Sequence, residues 1–143
     1  MTNFLANEYG RVIVIHLGKG ELLLESIQRA LEEQGIKNAV LLSAIGSLRK
    51  LSMHIIMDTD DKATNNFLVV EKPFELCSMQ GLVLDGVPHF HMVCSAPGNE
   101  SFCGHVEPGC EVQYLMEIAL MEVRDMDLTR RRDAFGIDYI DKR

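Results

Sequence analysis

The first hydrophobic segments of the chain predict a strand followed by a helix. Residues 11–17, RVIVIHL, form a continuous run rich in β-branched side chains, which is typical of a strand. After Gly18 and Gly20 the apolar residues recur every three or four positions, and Gly35 is placed to end a helix. The apolar positions of this helix are Leu23, Leu24, Ile27, Ala30 and Leu31. We therefore expect one main amphipathic helix near the N-terminus, packed on a sheet.

From residue 38 onward the pattern is that of strands. Apolar and polar positions alternate in several segments, and Gly, Pro, Asp and Asn separate them. The predicted strands are residues 39–46, 48–57, 67–72, 74–84, 88–96, 101–107 and 110–123. Because only one strong crossover helix precedes this series, we predict an α+β fold with a largely antiparallel, multi-stranded sheet rather than a doubly wound parallel one.

Length and composition are those of a globular domain. The chain has 143 residues, so we expect a single domain over residues 1–143 with a hydrophobic core. Apolar residues make up 47% and charged residues 24%, which excludes the disordered and fibrous classes. The longest apolar runs are far shorter than the roughly 20 residues of a membrane-spanning helix. With no signal-peptide pattern at the N-terminus, we expect a cytoplasmic protein with no membrane partner.

The charge of the chain argues against nucleic-acid binding. The net charge is −7 and the isoelectric point is near 5.2, whereas nonspecific nucleic-acid binding draws on Lys and Arg that neutralise phosphates. The one basic run, residues 130–132, has aspartates on both sides. We interpret this arginine run as a solvated face.

Three of the five histidines fall within a short segment that reads as a hairpin. Side chains alternate across a strand, so His89 and His91 point to the same face. If residues 101–107 return as the paired strand after a Pro–Gly turn, His105 comes back beside them, and Gly104 allows a close backbone approach. Three histidines on one face can form an open site for zinc or another divalent metal, with water completing the coordination. Spacing alone leaves the alternative of hydrogen-bonded structural histidines equally open.

Other residues near this segment are candidates for supporting roles. Cys103 shares the strand parity of His105 and is either a packed thiol or a fourth ligand. The other cysteines, at 77, 94 and 110, form no CxxC pair, and we expect free thiols. His16 and His54 lie in separate strands, and we interpret them as structural.

A metal site with hydrolytic chemistry would also need a general base. The nearby carboxylates in the sequence are Glu107, Glu111 and Glu117. Glu117 interrupts an apolar run, so it is either a partner that supports a ligating histidine or an acid on the exposed side of a half-buried strand. Both interpretations of Glu117 stay open.

Taken together, the segments over residues 11–139 resemble the PPC (plants and prokaryotes conserved) domain. The similarity is carried by the order of five motifs, which are LLSAIGSLRKLSM, PFELCSMQGLVLDG, the HFH and GHVEPGCEV hairpin, MEIAL with Glu117, and the closing TRRRDAFGIDYI. The resemblance implies a compact α/β domain with a largely antiparallel sheet that assembles as a homotrimer. It also implies that His89, His91 and His105 lie near a subunit boundary and can hold a metal.

The resemblance also bears on partners. A segment that plant relatives use in partner contacts is similar to residues 72–77, KPFELC, so that Phe74 and Glu75 are candidate contacts for a protein partner. In plant relatives DNA contact comes from a separate AT-hook built on an RGRP core, and this chain contains no such motif.

Three hypotheses for function follow. The first is a homotrimeric protein with a three-histidine divalent metal site of unknown activity. The second is a DNA-binding or transcription-associated regulatory protein, and the third is a zinc-dependent hydrolase that shares the same site. The sequence points to no substrate.

Overall fold

The computed structural model describes residues 1–143 and contains eight strands and one helix. The helix α1 is Leu23–Gln34, and the strands are β1 (Tyr9–Gly18), β2 (Ala39–Ile56), β3 (Asn65–Leu84), β4 (Val87–Ala96), β5 (Glu100–Val106), β6 (Glu111–Val123), β7 (Leu128–Arg132) and β8 (Asp138–Lys142). Six strands form an antiparallel sheet in the order β1-β6-β2-β3-β4-β5, and β7 pairs with β8 separately. The α+β prediction fits this architecture in outline.

The helix is short, with twelve residues, and covers the core with one side. Leu23, Ile27 and Leu31 are fully buried there. Gly35 ends the helix in the left-handed conformation, with φ of 65°, and the backbone N–H of Ile36 donates to the carbonyl oxygen of Leu31 at 2.9 Å. No helix of this chain is long and apolar enough to cross a membrane.

Two pairs of predicted strands are continuous in the structure. Residues 39–46 and 48–57 both belong to β2, and residues 67–72 and 74–84 both belong to β3. The register of β2 against β3 shifts between Leu48 and Lys50, opposite the segment that contains Pro73. Proline has no N–H to donate, so an irregular place in the ladder tolerates it, and the strand bends instead of ending.

The sheet closes on itself at one end. Strand β5 pairs with β4 along its length and also with β2, where Met53 lies opposite Val106 and His54 lies opposite His105. A Cβ on Gly104 would lie 2.5 Å from the carbonyl oxygen of His54, so only glycine lets these two backbones approach. Strands β2, β3, β4 and β5 therefore form a closed ring, with β6 and β1 extending from it as an open end.

The inward side chains form one core of 26 buried residues. On β4, Phe90 and Met92 are buried, at 0% and 2% exposed, while the histidines between and beside them point outward. The alternation predicted for this strand is therefore confirmed. Cys94 and Cys110 also lie in the core, whereas Cys77 and Cys103 are exposed, and all four thiols are free.

The C-terminal hairpin, β7 and β8, has strands of five residues each that the sequence pattern does not predict. It contains the arginine run. Arg132 pairs with Asp138 at 2.8 Å and Arg131 pairs with Asp141 at 3.0 Å, so two of the three arginines are neutralised within the hairpin. Both are exposed, as the interpretation of a solvated face requires, but Arg130 is half-buried.

Candidate metal centre

A row of histidines crosses three neighbouring strands of the ring. His54 on β2 lies directly opposite His105 on β5, and His105 lies directly opposite His91 on β4. Directly opposed residues of an antiparallel ladder point to the same face, so the three imidazoles share one side of the sheet. His89 lies two residues from His91 on β4 and joins them. The structure thus brings together the three predicted histidines and adds His54.

The four imidazole rings are grouped around His105. The ring centroids of His89, His91 and His105 are separated by 4.7 to 5.5 Å. His54 stacks on His105 at 4.5 Å, and its other side faces the ring of Phe67 at 5.0 Å. His105 is therefore the central member, since it contacts all three of the others.

Glu107 supplies the one carboxylate of the cluster. It follows β5, and its Oε1 lies 2.5 Å from Nδ1 of His54 and 3.2 Å from Nδ1 of His105. One ligand atom from each of His54, His105 and Glu107 lies within 4.8 Å of the other two, so these three residues could hold a metal ion. Two imidazoles and a carboxylate form a donor set that zinc and other divalent metals use in proteins.

One polar atom of the cluster lacks a partner. Nδ1 of His105 is buried and makes no hydrogen bond, because its contact with Glu107 lacks hydrogen-bond geometry. A buried polar atom without a partner is costly, on the order of 1–3 kcal/mol, so such an atom points to a ligand or to a shifted proton. The residues present therefore fit a metal ion at this place.

The electrostatics keep the central rings neutral. Burial lowers the pKa of His89 to about 4, with further lowering from the charges of Arg130, His105 and His91. Burial also lowers the pKa of His105, and the charge of His54 acts in the same direction. Neutral imidazole is the form that coordinates metals, so the cluster does not need to lose protons near neutral pH to bind one at these rings.

A cavity of about 360 Å³ opens beside the histidine row. Its walls include His54, His91 and His105, together with the apolar side chains Ile55 and Val93 and the polar Gln80 and Ser78. Cys103 also lines this cavity, which places its thiol on the predicted face without bringing it into the group of close ligand atoms. A small molecule in the cavity would have direct access to the row.

Glu117 is not near this cluster within one chain. It lies on β6 between His16 of β1 and Ile45 of β2, and its side chain is exposed. Ile45 and His54 are nine residues apart on β2, about 30 Å along an extended strand. Within the chain, the carboxylate beside the histidines is that of Glu107. The supporting role of Glu117 stays a prediction. Glu111 also lies outside the group of close ligand atoms, and its Oε1 is 3.5 Å from Nε of Arg49.

The two predicted partner contacts differ in exposure. Phe74 is only 2% exposed and packs edge-on against Phe102, with ring centroids 5.3 Å apart, so it belongs to the core and does not present a contact surface. Phe74 is therefore a core residue and not the predicted partner contact, because this large apolar side chain is buried. Glu75 is exposed beside it, and its role in a partner contact stays a prediction.

His54 is the functional candidate that the sequence interpretation assigned to structure alone. Its proximity to the hairpin depends on the closure of β5 on β2, a pairing between segments some fifty residues apart. The local signal that bears on this closure is Gly104, whose missing Cβ admits the backbone of His54.

Comparison with known proteins finds two curated relatives that are similar in sequence. The chain is 28% and 25% identical over 124 residues to the bifunctional protein GlmU of two Synechococcus strains, JA-3-3Ab and JA-2-3B'a(2-13). The matches cover 86% of this chain but only 19% and 18% of those proteins. The chain therefore spans about a fifth of the length of these curated relatives.

Solved structures match over nearly the whole chain. A PPC protein from Pyrococcus horikoshii has a TM-score of 0.84 and 24% identity, covering 99% of this chain and 98% of its own. The metal-containing protein from Archaeoglobus fulgidus has a TM-score of 0.82 and 26% identity, covering 97% of this chain and 98% of its own.

The sequence motifs, the closed antiparallel sheet and these neighbours agree with the result of the family comparison. The family model described as the Plants and Prokaryotes Conserved (PCC) domain matches residues 5–124. This chain therefore belongs to the plants and prokaryotes conserved domain family.

Proposed function

We propose that this chain forms a homotrimeric protein that binds a divalent metal, zinc or a related ion, through His89, His91 and His105. The single observation that carries the proposal is that the rings of His54, His89 and His91 all meet the ring of His105. The metal-containing relative from Archaeoglobus fulgidus adds support from outside the chain.

Two sets of side chains share His105. In the set of His54, His105 and Glu107 the ligand atoms lie within 4.8 Å of one another. In the set of His89, His91 and His105 the ring centroids lie 4.7 to 5.5 Å apart. In the proposed arrangement the set of three histidines holds the ion, while Glu107 orients His105 and is itself held by His54 at 2.5 Å. A carboxylate behind a ligating histidine fixes the ring and raises its basicity, and its loss typically weakens metal binding about 10- to 100-fold.

A divalent metal at this place would supply Lewis acidity and an open coordination position beside the cavity. If the site also performs hydrolysis, Glu107 is the carboxylate placed to take up a proton there, and Glu117 is not. The hydrolase hypothesis therefore depends on Glu107.

The homotrimer is supported by the family resemblance and by uncovered apolar surface. At the open end of the sheet, Val12, Val14, Ile45 and Leu115 are 58%, 72%, 55% and 40% exposed. They lie on the outer side of adjacent strands β1, β6 and β2, with no helix over them. His16 and Glu117 are exposed on the same side. Apolar surface that nothing covers marks an interface in many soluble proteins.

The metal proposal is tested by titrating metal-free, untagged protein with zinc and following binding by calorimetry and thermal stability. We expect the double variant H89A/H91A to lose binding, and His16→Ala to retain it, because His16 is an exposed histidine on β1 away from the cluster. His54→Ala distinguishes the two sets of side chains, since abolished binding would make His54 a ligand and weakened binding would make it a support for Glu107. Equal zinc binding in the wild type and the double variant would refute the proposal.

The assembly is tested separately by light scattering of the purified protein with and without a chelator. We expect the mass of three chains in the wild type and a smaller species in Val14→Glu, because a charge on the outer side of β1 would be buried in the interface. A single-chain mass at all concentrations would exclude the trimer.

A further inference from the structure

The arginine that the C-terminal hairpin leaves unpaired lies beside the histidine cluster. Of the three consecutive arginines, Arg131 and Arg132 have carboxylate partners, whereas Arg130 has no carboxylate oxygen within 4.0 Å. Its Nη1 donates a hydrogen bond to the carbonyl oxygen of Val87 at 3.3 Å. The side chain is half-buried, so its charge is only partly solvated.

The bond to Val87 fixes the position of this guanidinium relative to the site. Val87 and His89 are two residues apart on β4, about 7 Å along the strand, and share a face with His91. After burial, the charge of Arg130 is the largest cause of the lowered pKa of His89. The guanidinium thus lies at the end of the histidine row on the Val87 side, while the cavity of about 360 Å³ opens beside His91 and His105.

Asp138 does not pair with Arg130. Burial lowers the pKa of Arg130 and the charge of Asp138 acts in the opposite direction, but both carboxylate oxygens of Asp138 accept hydrogen bonds from Arg132, with Nε to Oδ1 at 2.8 Å and Nη2 to Oδ2 at 3.0 Å. A half-buried cation is expensive unless it is paired. Arg130 therefore keeps free donors, with no carboxylate in contact, at the edge of the cluster.

We propose that Arg130 is an anion subsite that binds the oxyanion group, carboxylate or phosphate, of a small ligand next to the histidine cluster. A guanidinium matches such groups because it offers two parallel N–H donors. The inference rests on the proposed metal function in one respect. A divalent ion on His89, His91 and His105 would add positive charge beside Arg130, with Glu107 as the one carboxylate of the cluster, and an anionic ligand balances that excess.

The experiment is a calorimetric titration of the protein with inorganic phosphate and, separately, with acetate, on metal-free and on zinc-loaded samples. Wild type and Arg131→Gln are expected to bind alike, because Arg131 is an exposed arginine of the same strand whose partner is Asp141. Arg130→Gln is expected to bind at least about 10-fold more weakly, since a charge-assisted hydrogen bond is lost. Tighter binding of one anion identifies which oxyanion the subsite prefers.

Two further measurements keep the result decisive. The guanidinium Nε signal of Arg130 in the unsubstituted protein is expected to shift on anion addition, which does not depend on the folding of a variant. Zinc content of Arg130→Gln is expected to equal that of wild type, which separates the anion subsite from the metal site.

The metal function and the anion subsite can fail independently of each other. If no zinc binds to wild type, the metal function fails, and anion binding by metal-free protein that depends on Arg130 still supports the subsite. Equal anion affinity in wild type and Arg130→Gln, or no binding to either sample, overturns the subsite whatever the metal result.

Discussion

The two ends of the six-stranded sheet place the same residue type in different surroundings. At the open end His16 is exposed on β1, opposite the exposed Glu117 of β6. At the closed end His105 contacts three other histidines, and its Nδ1 is buried without a partner. Alternation along one strand brings two outward side chains together. Closure of the ring adds side chains from other strands. The closed end therefore has a cluster of histidines, and the open end has an exposed surface with apolar side chains.

The largest expected effect comes from opening the ring at Gly104. Gly104→Ala should lower the free energy of unfolding by about 1–3 kcal/mol, because the added Cβ meets the carbonyl oxygen of His54 at 2.5 Å and the backbone cannot yield freely. Metal binding should fall with it, since His54 and His105 would separate. Chemical denaturation combined with zinc titration measures both changes.

The matched change at the open end is Gly18→Ala. A Cβ there would meet Glu21 Oε2 at an ordinary 3.7 Å, so little loss of stability is expected. If Gly104→Ala is as stable as Gly18→Ala and keeps its metal affinity, closure of β5 on β2 does not build the site.

Glu107 and Glu117 lie at opposite ends of the sheet, so their substitutions should differ in effect. Glu107→Gln should weaken zinc binding about 10- to 100-fold, because the carboxylate between His54 and His105 is lost. Glu117→Gln should leave zinc affinity unchanged, since Glu117 lies at the open end. Competition titrations with a chromogenic chelator give the two dissociation constants. Weaker binding in Glu117→Gln alone would return the supporting role to Glu117 and show that it acts across a subunit boundary.

A smaller effect is expected when low pH protonates Glu122 at the open end of the sheet. Hydrogen bonds from Arg11 lower the pKa of Glu122 from its ordinary 4.5 to about 2. A lowered folded-state pKa stabilises the protein above the unfolded value, and this contribution is lost as the pH falls from about 4.5 to about 2. Glu122→Gln should therefore be less stable than wild type near neutral pH and converge with it in acid. Melting temperatures across this range check the convergence, and a constant difference would contradict it.

The smallest effect is expected from the thiols. Burial raises the pKa of Cys94 to about 12 and that of Cys110 to about 11, while Cys77 and Cys103 are exposed. An alkylating reagent should therefore label two thiols of the native protein, with and without zinc, and Cys103→Ser should keep its full metal content. Protection of Cys103 by zinc, read by mass spectrometry, would make it the fourth ligand.

Much of the fold follows from local patterns. Alternation on β4 separates the buried Phe90 and Met92 from the outward histidines, and the spacing of Leu23, Ile27 and Leu31 marks the buried side of α1. The sequence pattern predicts two strands where β2 or β3 is one continuous strand. A proline or glycine in the sequence does not distinguish a bend in a strand from its end.

The rest of the site depends on contacts between distant segments. His54 joins the cluster through the closure of β5 on β2, and Arg130 reaches it from a hairpin of charged five-residue strands. The local pattern predicts strands at residues 48–57 and 101–107 but not their pairing, and the charged hairpin carries no hydrophobic period that would fix its place. Phe74 shows the opposite case, since the resemblance suggested a partner contact and the packing buries the ring.

We propose that the closed end of the sheet holds a metal ion. The deciding measurement is elemental analysis of untagged wild-type protein, beside H89A/H91A and His16→Ala. We expect stoichiometric zinc or another divalent metal in wild type and His16→Ala, and its loss in the double variant. Wild-type protein that contains no metal and takes up no added zinc would refute the proposal and leave the histidines as structural residues.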